Sequence, residues 1–387
     1  MLLAILVLLA MVTIHEFGHY IAGKILGFKI NEFSVGFGPA ILKKRSKKTG
    51  ELFALRVIPL GGYCAFDGED EYEDEATDAK GEEVEKLEKV EEPFAEYQTQ
   101  TQEEQPPAQT AQADEYPEPK GERFNDQAPW KRIIVLIAGA TMNYLLALFL
   151  IFCMFGFIGQ PLYEVTAPRE GKYLAPVYEV GDIIESVDGE KVYLITDYMT
   201  ALNGRKKGEE VEVGVIRDGE RTILKVTIEQ DADFVNMSDT DTLLGALGLD
   251  GLSAVTVKHG FSQTIGRSFV YSYKIGGTVL RSLGELLTGK LGLDAMGGPV
   301  TTITVTSQVA TSSLLQFLNI SALIGVNLAV FNLLPIPALD GCKVIFCLIE
   351  WIRKKPVNRK IETLIHFIGI IVLFGFAILV DILQWIL

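Results

Sequence analysis

The sequence predicts a polytopic α-helical membrane protein of about four transmembrane helices, with a membrane-associated β-hairpin and an inserted β-rich domain. Three observations carry this. The 387 residues are 48% hydrophobic, too apolar for an ordinary water-soluble protein, yet 22% charged, too charged to lie in lipid throughout. Four apolar runs, 1–26, 133–158, 315–335 and 363–387, are long enough to span a bilayer core of about 30 Å. Between the second and third runs, strand-like alternation replaces helical periodicity.

The first run, 1–26, has no Lys or Arg before Lys24 and no small-residue cleavage pattern, so it reads as a retained span rather than a signal peptide. Inside it stands His15-Glu16-Phe17-Gly18-His19. On a helix, residues i and i+4 share a face, so both imidazoles can reach one metal ion while Glu16 faces a water beside it. Zinc is the expected metal: it lowers the pKa of a water toward 7, and Glu16 is placed to take that proton. Five-residue matches of this kind also arise by chance on solvated helix faces. Ionisable groups inside an apolar span, however, are costly and are kept there for function.

Residues 27–66 read as a hairpin, with β-rich runs at 33–39 and 52–62 joined by a basic, Gly-containing loop at 43–50. Gly36 and Gly38 leave a bare backbone edge. The segment is either a small cytoplasmic cap or an edge that holds an extended peptide by main-chain pairing.

The net charge of −15 belongs to one insert. Residues 67–119 hold 20 acidic and 3 basic side chains, net −17, leaving +2 for the rest of the chain. The segment 67–128 is acidic, then rich in Gln, Thr and Pro, and is predicted to be disordered, with a partner-binding tether as the alternative. Nucleic acid is not an expected partner of so acidic a chain. Cys64, Cys153, Cys342 and Cys347 lie in or beside apolar runs, which points to small core residues and not to a disulfide framework.

After the second span, within 129–160, the β-rich domain covers 161–250. Val211, Val213 and Val215 alternate, Asp218-Gly219 makes a turn, and Leu224, Val226 and Ile228 alternate again. Residues 181–189 read as a strand with a tight turn and 197–203 as a short helix. The stretch 251–313 holds an amphipathic helix at 261–287 and a linker, the helix lying on the membrane or docking the domain.

The third span, 314–341, ends in Asn332-Leu333-Leu334-Pro335-Ile336-Pro337-Ala338-Leu339-Asp340-Gly341. Its two prolines break the helix and free backbone groups beside an aspartate. A zinc held by two histidines needs a third protein ligand. Asp340 is preferred to Glu350, read as a plain helix-face residue, and to Asp381, near the far end of the fourth span at 363–387. A connection at 342–362 links the last two spans.

Basic residues cluster at 43–48, 131–132 and 353–360, so these flanks are expected in the cytoplasm and the β-rich domain outside it. His15 lies about 14 Å along a helix axis from Lys24, which sets the metal below the cytoplasmic surface of the cell membrane.

HEFGH in the first span, the Asn332 to Gly341 motif in the third, and Glu179-Val180-Gly181-Asp182-Ile183-Ile184-Glu185-Ser186-Val187-Asp188-Gly189 between them together resemble the bacterial site-2 protease family, of the regulator of sigma-E protease type. The resemblance covers nearly the whole chain except the acidic insert. It implies an intramembrane zinc metalloprotease that cuts single-span membrane proteins, such as anti-sigma factors, after a first cut has removed their outer domain. It further implies that His15, His19 and Asp340 are the zinc ligands, Glu16 the general base, and Asn332 a holder of substrate backbone. Gly36 and Gly38 match the family's substrate-pairing β-loop, and 161–250 is PDZ-like, a single module where some relatives have two. The chain departs from the family pattern at Cys342, where a second glycine often follows Asp-Gly, and at Ala140, where proline is frequent. His259 and His366 match no motif and are read as structural. An inactive membrane scaffold and a metal transporter are the competing classes. The filled HExxH positions argue against the first, and a fourth span with little polar beyond His366 and Asp381 argues against the second.

Overall fold

The computed structural model describes residues 2–69, 116–168, 177–235, 239–292 and 297–386. Helix α1 (Leu2–Leu26) runs without a break through the first apolar stretch. Gly27, at φ +81°, ends it, and Phe28 N–H reaches back to Gly23 O at 2.9 Å, as in a Schellman cap.

The hairpin follows as β1 (Ile30–Arg45) and β2 (Leu52–Phe66), both longer than the sequence runs suggested. Both strands bend. The first half of β1 lies between the two halves of β2, so Glu32 faces both Ala65 and Leu52, and Val35 faces both Gly62 and Leu55. The second half of β1 pairs with the first half of β2, from Ala40 opposite Arg56 to Arg45 opposite Leu52. The ribbon is pinned to α1 at buried Glu51, which accepts from Tyr20 Oη at 3.0 Å and pairs with Lys24. Phe33 and Phe53 pack edge-on against the Tyr20 ring.

Most of the acidic insert, 70–115, lies outside the described residues, and the disorder expected of it with them. Its two ends are packed: Asp67 N–H bonds Lys29 O at 2.9 Å, Lys29 N–H bonds Glu122 O at 2.8 Å, and the Phe124 ring packs at a tilt against Phe28 and Phe66. Pro129 then opens α2 (Pro129–Phe157), at the helix position where its missing N–H costs nothing.

The β-rich domain is built from β3 (Gln160–Pro168), β4 (Ile183–Val187), β5 (Glu190–Lys191), helix α3 (Ile195–Leu202), β6 (Glu210–Arg217), β7 (Glu220–Thr227), helix α4 (Thr240–Leu247) and β8 (Leu249–Val257). The strands form one sheet in the order β7-β6-β4-β3-β8, with β5 paired to β4. Val211, Val213, Val215, Leu224, Val226 and Ile228 all point into its core, as their alternation predicted. The domain continues past residue 250, because β8 pairs antiparallel with β3 from Gln160 opposite Val257 to Pro168 opposite Leu249. Its entry and exit strands are therefore neighbours, which lets the whole domain be inserted between two helices.

The exit leads into α5 (Phe261–Leu287), the expected amphipathic helix. It is tied to the β-rich domain by Arg267 to Gln160 (2.7 Å) and Glu185 (2.5 Å), and by Lys274 to Asp197 (2.8 Å). His259 sits in the same junction, 3.1 Å from Gln160 Oε1. The expected linker contains a further helix, α6 (Pro299–Ser312), whose first N–H groups, those of Val300 and Thr301, are capped by Asp381 at 3.1 and 3.3 Å.

Helix α7 (Leu314–Leu333) is the third span, and it stops seven residues before Asp340. Leu334 is extended (φ −71°, ψ 147°), since residues preceding proline avoid helical backbone. Asp340 begins a separate helix, α8 (Asp340–Arg353), which occupies most of the expected 342–362 connection. α9 (Arg359–Ile386) is the fourth span. Among the described residues, four helices, α1, α2, α7 and α9, are thus long and apolar enough to cross a membrane.

Glu350 is not the plain helix-face residue the sequence suggested. It is 4% exposed and pairs with Arg132 at the start of α2 and with Arg359 of α9 at 2.9 Å, joining three helices. Cys64, Cys342 and Cys347 are buried free thiols, in keeping with core packing.

Candidate metal centre

The spans approach closely where their side chains are small, which is the way helices pack without a hydrophobic drive between them. A Cβ on Gly18 of α1 would strike the Ala138 carbonyl of α2, and one on Gly325 of α7 would come within 3.0 Å of Ala147. This close packing brings the ionisable groups of α1 against α2, α7 and the start of α8.

His15 and His19 are both buried and present their Nε2 atoms to one point, 3.1 Å apart. Asp340 Oδ2 lies 3.0 Å from His15 Nε2 and 3.3 Å from His19 Nε2. This is the group of donors among the described residues that could hold a metal ion. Donor atoms at zinc distances of about 2.0–2.2 Å in a tetrahedron stand roughly 3.3 Å apart, so the three need little movement to share an ion. Apart from these two imidazoles, buried Asp340 Oδ2 has no polar partner among the described residues, which suits an atom that binds a cation. Two imidazoles and a carboxylate are a donor set suited to zinc, with the fourth position open for chemistry.

Three features of the surroundings hold this geometry. The His19 Nδ1 atom lies 2.8 Å from Val135 O, so its N–H donates there and Nε2 is left facing the site. On α2, Gly139 clears space: a Cβ would meet His19 Nε2 and lie 2.7 Å from His15 Cε1. At Asp340 the chain doubles back on itself. Ala338 takes φ +79°, unusual for a residue with a side chain, and its N–H donates to His366 Nδ1 of α9 at 3.0 Å. Gly341 is needed because a Cβ there would meet the Leu333 and Leu334 backbone.

Glu16 is roofed by the second half of β2. The Cys64 N–H bonds its carboxylate, and Gly62 comes so close that an added Cβ would stand 3.4 Å from Glu16 Cγ. Asn332, at the end of α7, directs Nδ2 to His15 Nδ1 at 3.5 Å, alongside Asn143 Nδ2 of α2 at 3.4 Å. The structure thus gathers His15, Glu16, His19, Asn332 and Asp340. Gly36 and Gly38 (φ +85° and +81°) instead stand against Arg56 and Ile58 at the bend of β1.

The sequence reading missed Val135, Gly139, Asn143, Gly62 and Cys64. For Asn143 a signal was present, since an amide inside an apolar span is costly without a task. A cavity of about 630 Å³ opens between the β-rich domain, α5 and α7, lined by Tyr163, Leu194, Val279, Asn327 and Phe331 among others. Its lining reaches along α7 as far as Phe331 but includes none of His15, Glu16, His19, Asn332 or Asp340.

Comparison with known proteins gives one family. The sequence model of Peptidase family M50 matches residues 3–376. The chain is 29% identical to the regulator of sigma-W protease RasP of Bacillus subtilis, covering 93% of this chain and 92% of that protein. It is 28% identical to the zinc metalloprotease RasP of Bacillus licheniformis, over 95% and 94% of the two chains. A putative zinc metalloprotease of Agrobacterium fabrum is 27% identical over 97% and 92%.

Proposed function

This chain belongs to peptidase family M50 and is a multi-pass membrane metalloprotease, and from that premise we propose that it hydrolyses peptide bonds within or near the spans of single-span membrane proteins. The observation that carries the reading is the meeting of His15 Nε2, His19 Nε2 and Asp340 Oδ2 inside a bundle of span-length helices, one residue from Glu16. When bound there, zinc supplies Lewis acidity toward a carbonyl and toward water.

The protein's own residues do the rest. Glu16 takes a proton from the attacking water and returns it to the leaving amine, its carboxylate held by the Cys64 N–H. Helical peptide bonds are internally paired and shielded, so a substrate span must be unwound before attack. The Asn332 amide holds the opened backbone beside His15, and the β1 backbone at Gly36 and Gly38 pairs with it as an added strand. The cavity under the β-rich domain receives the outer end of the substrate.

The Bacillus subtilis relative is named a regulator of sigma-W protease. By that likeness, membrane-bound anti-sigma factors, already shortened by a first cut, are the expected substrates. Charge asymmetry sets the hairpin loop and the Arg132 flank in the cytoplasm and the β-rich, PDZ-like domain outside, where it excludes substrates with bulky outer domains.

The test is reconstitution with zinc and a shortened single-span protein, followed by mass spectrometry of the fragments. A cut inside or at the edge of the span is expected. Cutting confined to soluble loops would contradict the reading.

A further inference from the structure

An imidazole that ligates a metal through Nε2 carries its proton on Nδ1, and that N–H requires an acceptor. His19 has one in the Val135 carbonyl. Among the described residues, no backbone carbonyl does this for His15. Its Nδ1 lies between two side-chain amides, both presenting nitrogen: Asn143 Nδ2 at 3.4 Å and Asn332 Nδ2 at 3.5 Å.

The two amides are not equivalent. Asn143 is 0% exposed, and its Oδ1 is buried with no hydrogen-bond partner among the described residues. Asn332 is only half-buried, at the open end of α7 where a substrate arrives. A half-turn of the Asn143 amide exchanges its two ends within the same space and brings the unpartnered oxygen to His15 Nδ1.

We propose that Asn143 is the positioning residue for His15: its side-chain oxygen accepts the Nδ1 proton and fixes the tautomer that offers Nε2 to the metal. Asn143 then does for His15 what the Val135 carbonyl does for His19, and Asn332 is left for substrate. Both carriers sit on α2, about two turns apart, on a helix that contributes no metal ligand itself. The inference rests on the assignment of His15 as a zinc ligand.

The experiment is chelator competition for zinc on the purified full-length chain. Asn143→Leu keeps the side-chain bulk but removes the acceptor and should weaken zinc binding by about 10–100-fold. Asn143→Asp keeps an acceptor and should stay within about threefold of wild type, and so should Asn332→Ala. A merely structural role would not be rescued by aspartate. Wild-type zinc affinity in Asn143→Leu, or equal loss in Asn143→Asp, overturns the proposal. A wild-type chain that binds no zinc refutes the metal assignment instead. Should Asn143→Leu fail to fold, ¹⁵N spectra of the histidine-labelled, zinc-loaded wild type read the tautomer directly. A proton on His15 Nδ1 is expected, and metal bound through that atom overturns the proposal.

Discussion

Gly139 of α2 stands where any side chain would run into His19. A Cβ at this position would meet the Nε2 atom that faces the metal site and lie 2.7 Å from His15 Cε1. The donor geometry therefore depends on the absence of an atom from a helix that contributes no ligand.

Gly139→Ala should be a metal-site variant even though alanine favours helix. Overpacking at this point pushes both imidazoles off their shared focus, and zinc affinity should fall by about tenfold or more. Chelator competition measures it, with helical content by circular dichroism unchanged.

Glu350 should matter for stability rather than chemistry. It is buried and serves Arg132 and Arg359 together. Removing one partner of a buried pair leaves an uncompensated charge and costs about 3–5 kcal/mol. Glu350→Leu should lower the melting temperature in detergent clearly, and adding Arg132→Met should recover most of the loss.

What was legible in the sequence is what depends on local runs and spacing. The four spans follow from apolar length, and His15, Glu16 and His19 from an i, i+4 pattern. The hairpin of β6 and β7 follows from valine alternation around Asp218-Gly219, where Asp218 takes φ +53°. Asp340 was singled out because two histidines leave a zinc short of a third ligand and it is the best-placed carboxylate of the later spans, and the structure sets it beside them. The rest needed distance in the chain. Glu350 reads as surface until its partner, 218 residues away, is in place. Asp381 looks idle until α6 begins on it, and α6 itself is hidden by threonines of modest helix propensity. The approach of Gly62 and Cys64 to Glu16 depends on the bent register of β1 and β2, which alternation alone cannot give.

In the β-rich domain, burial pushes the Asp182 carboxyl up, but the Arg217 guanidinium, with two contacts of 2.7 Å, and the Glu179 N–H at 2.9 Å hold it below the usual carboxylate value. A lowered folded pKa contributes stability above the unfolded value of about 3.9, and that contribution is lost as pH falls through the folded value. Protection factors of the β4 and β6 amides, exchange rates corrected for the intrinsic pH dependence, should therefore fall below about pH 4. Arg217→Met removes the contacts that lower the folded value and should largely abolish this acid-dependent loss.

The proposed orientation predicts that a cysteine at position 85 is shielded from an impermeant reagent in intact cells, whereas one at position 188 is labelled. Labelling at 85 but not at 188 would invert the topology.

The central claim is that Glu16 does proton chemistry beside a metal held by His15, His19 and Asp340. Zinc content and cleavage of a shortened single-span substrate, measured on the same preparations, test it most directly. Glu16→Gln should keep zinc and lose turnover by about 100-fold or more, while His15→Ala, His19→Ala and Asp340→Ala should lose both. Turnover near wild type in Glu16→Gln, or full zinc occupancy in Asp340→Ala, would contradict the account.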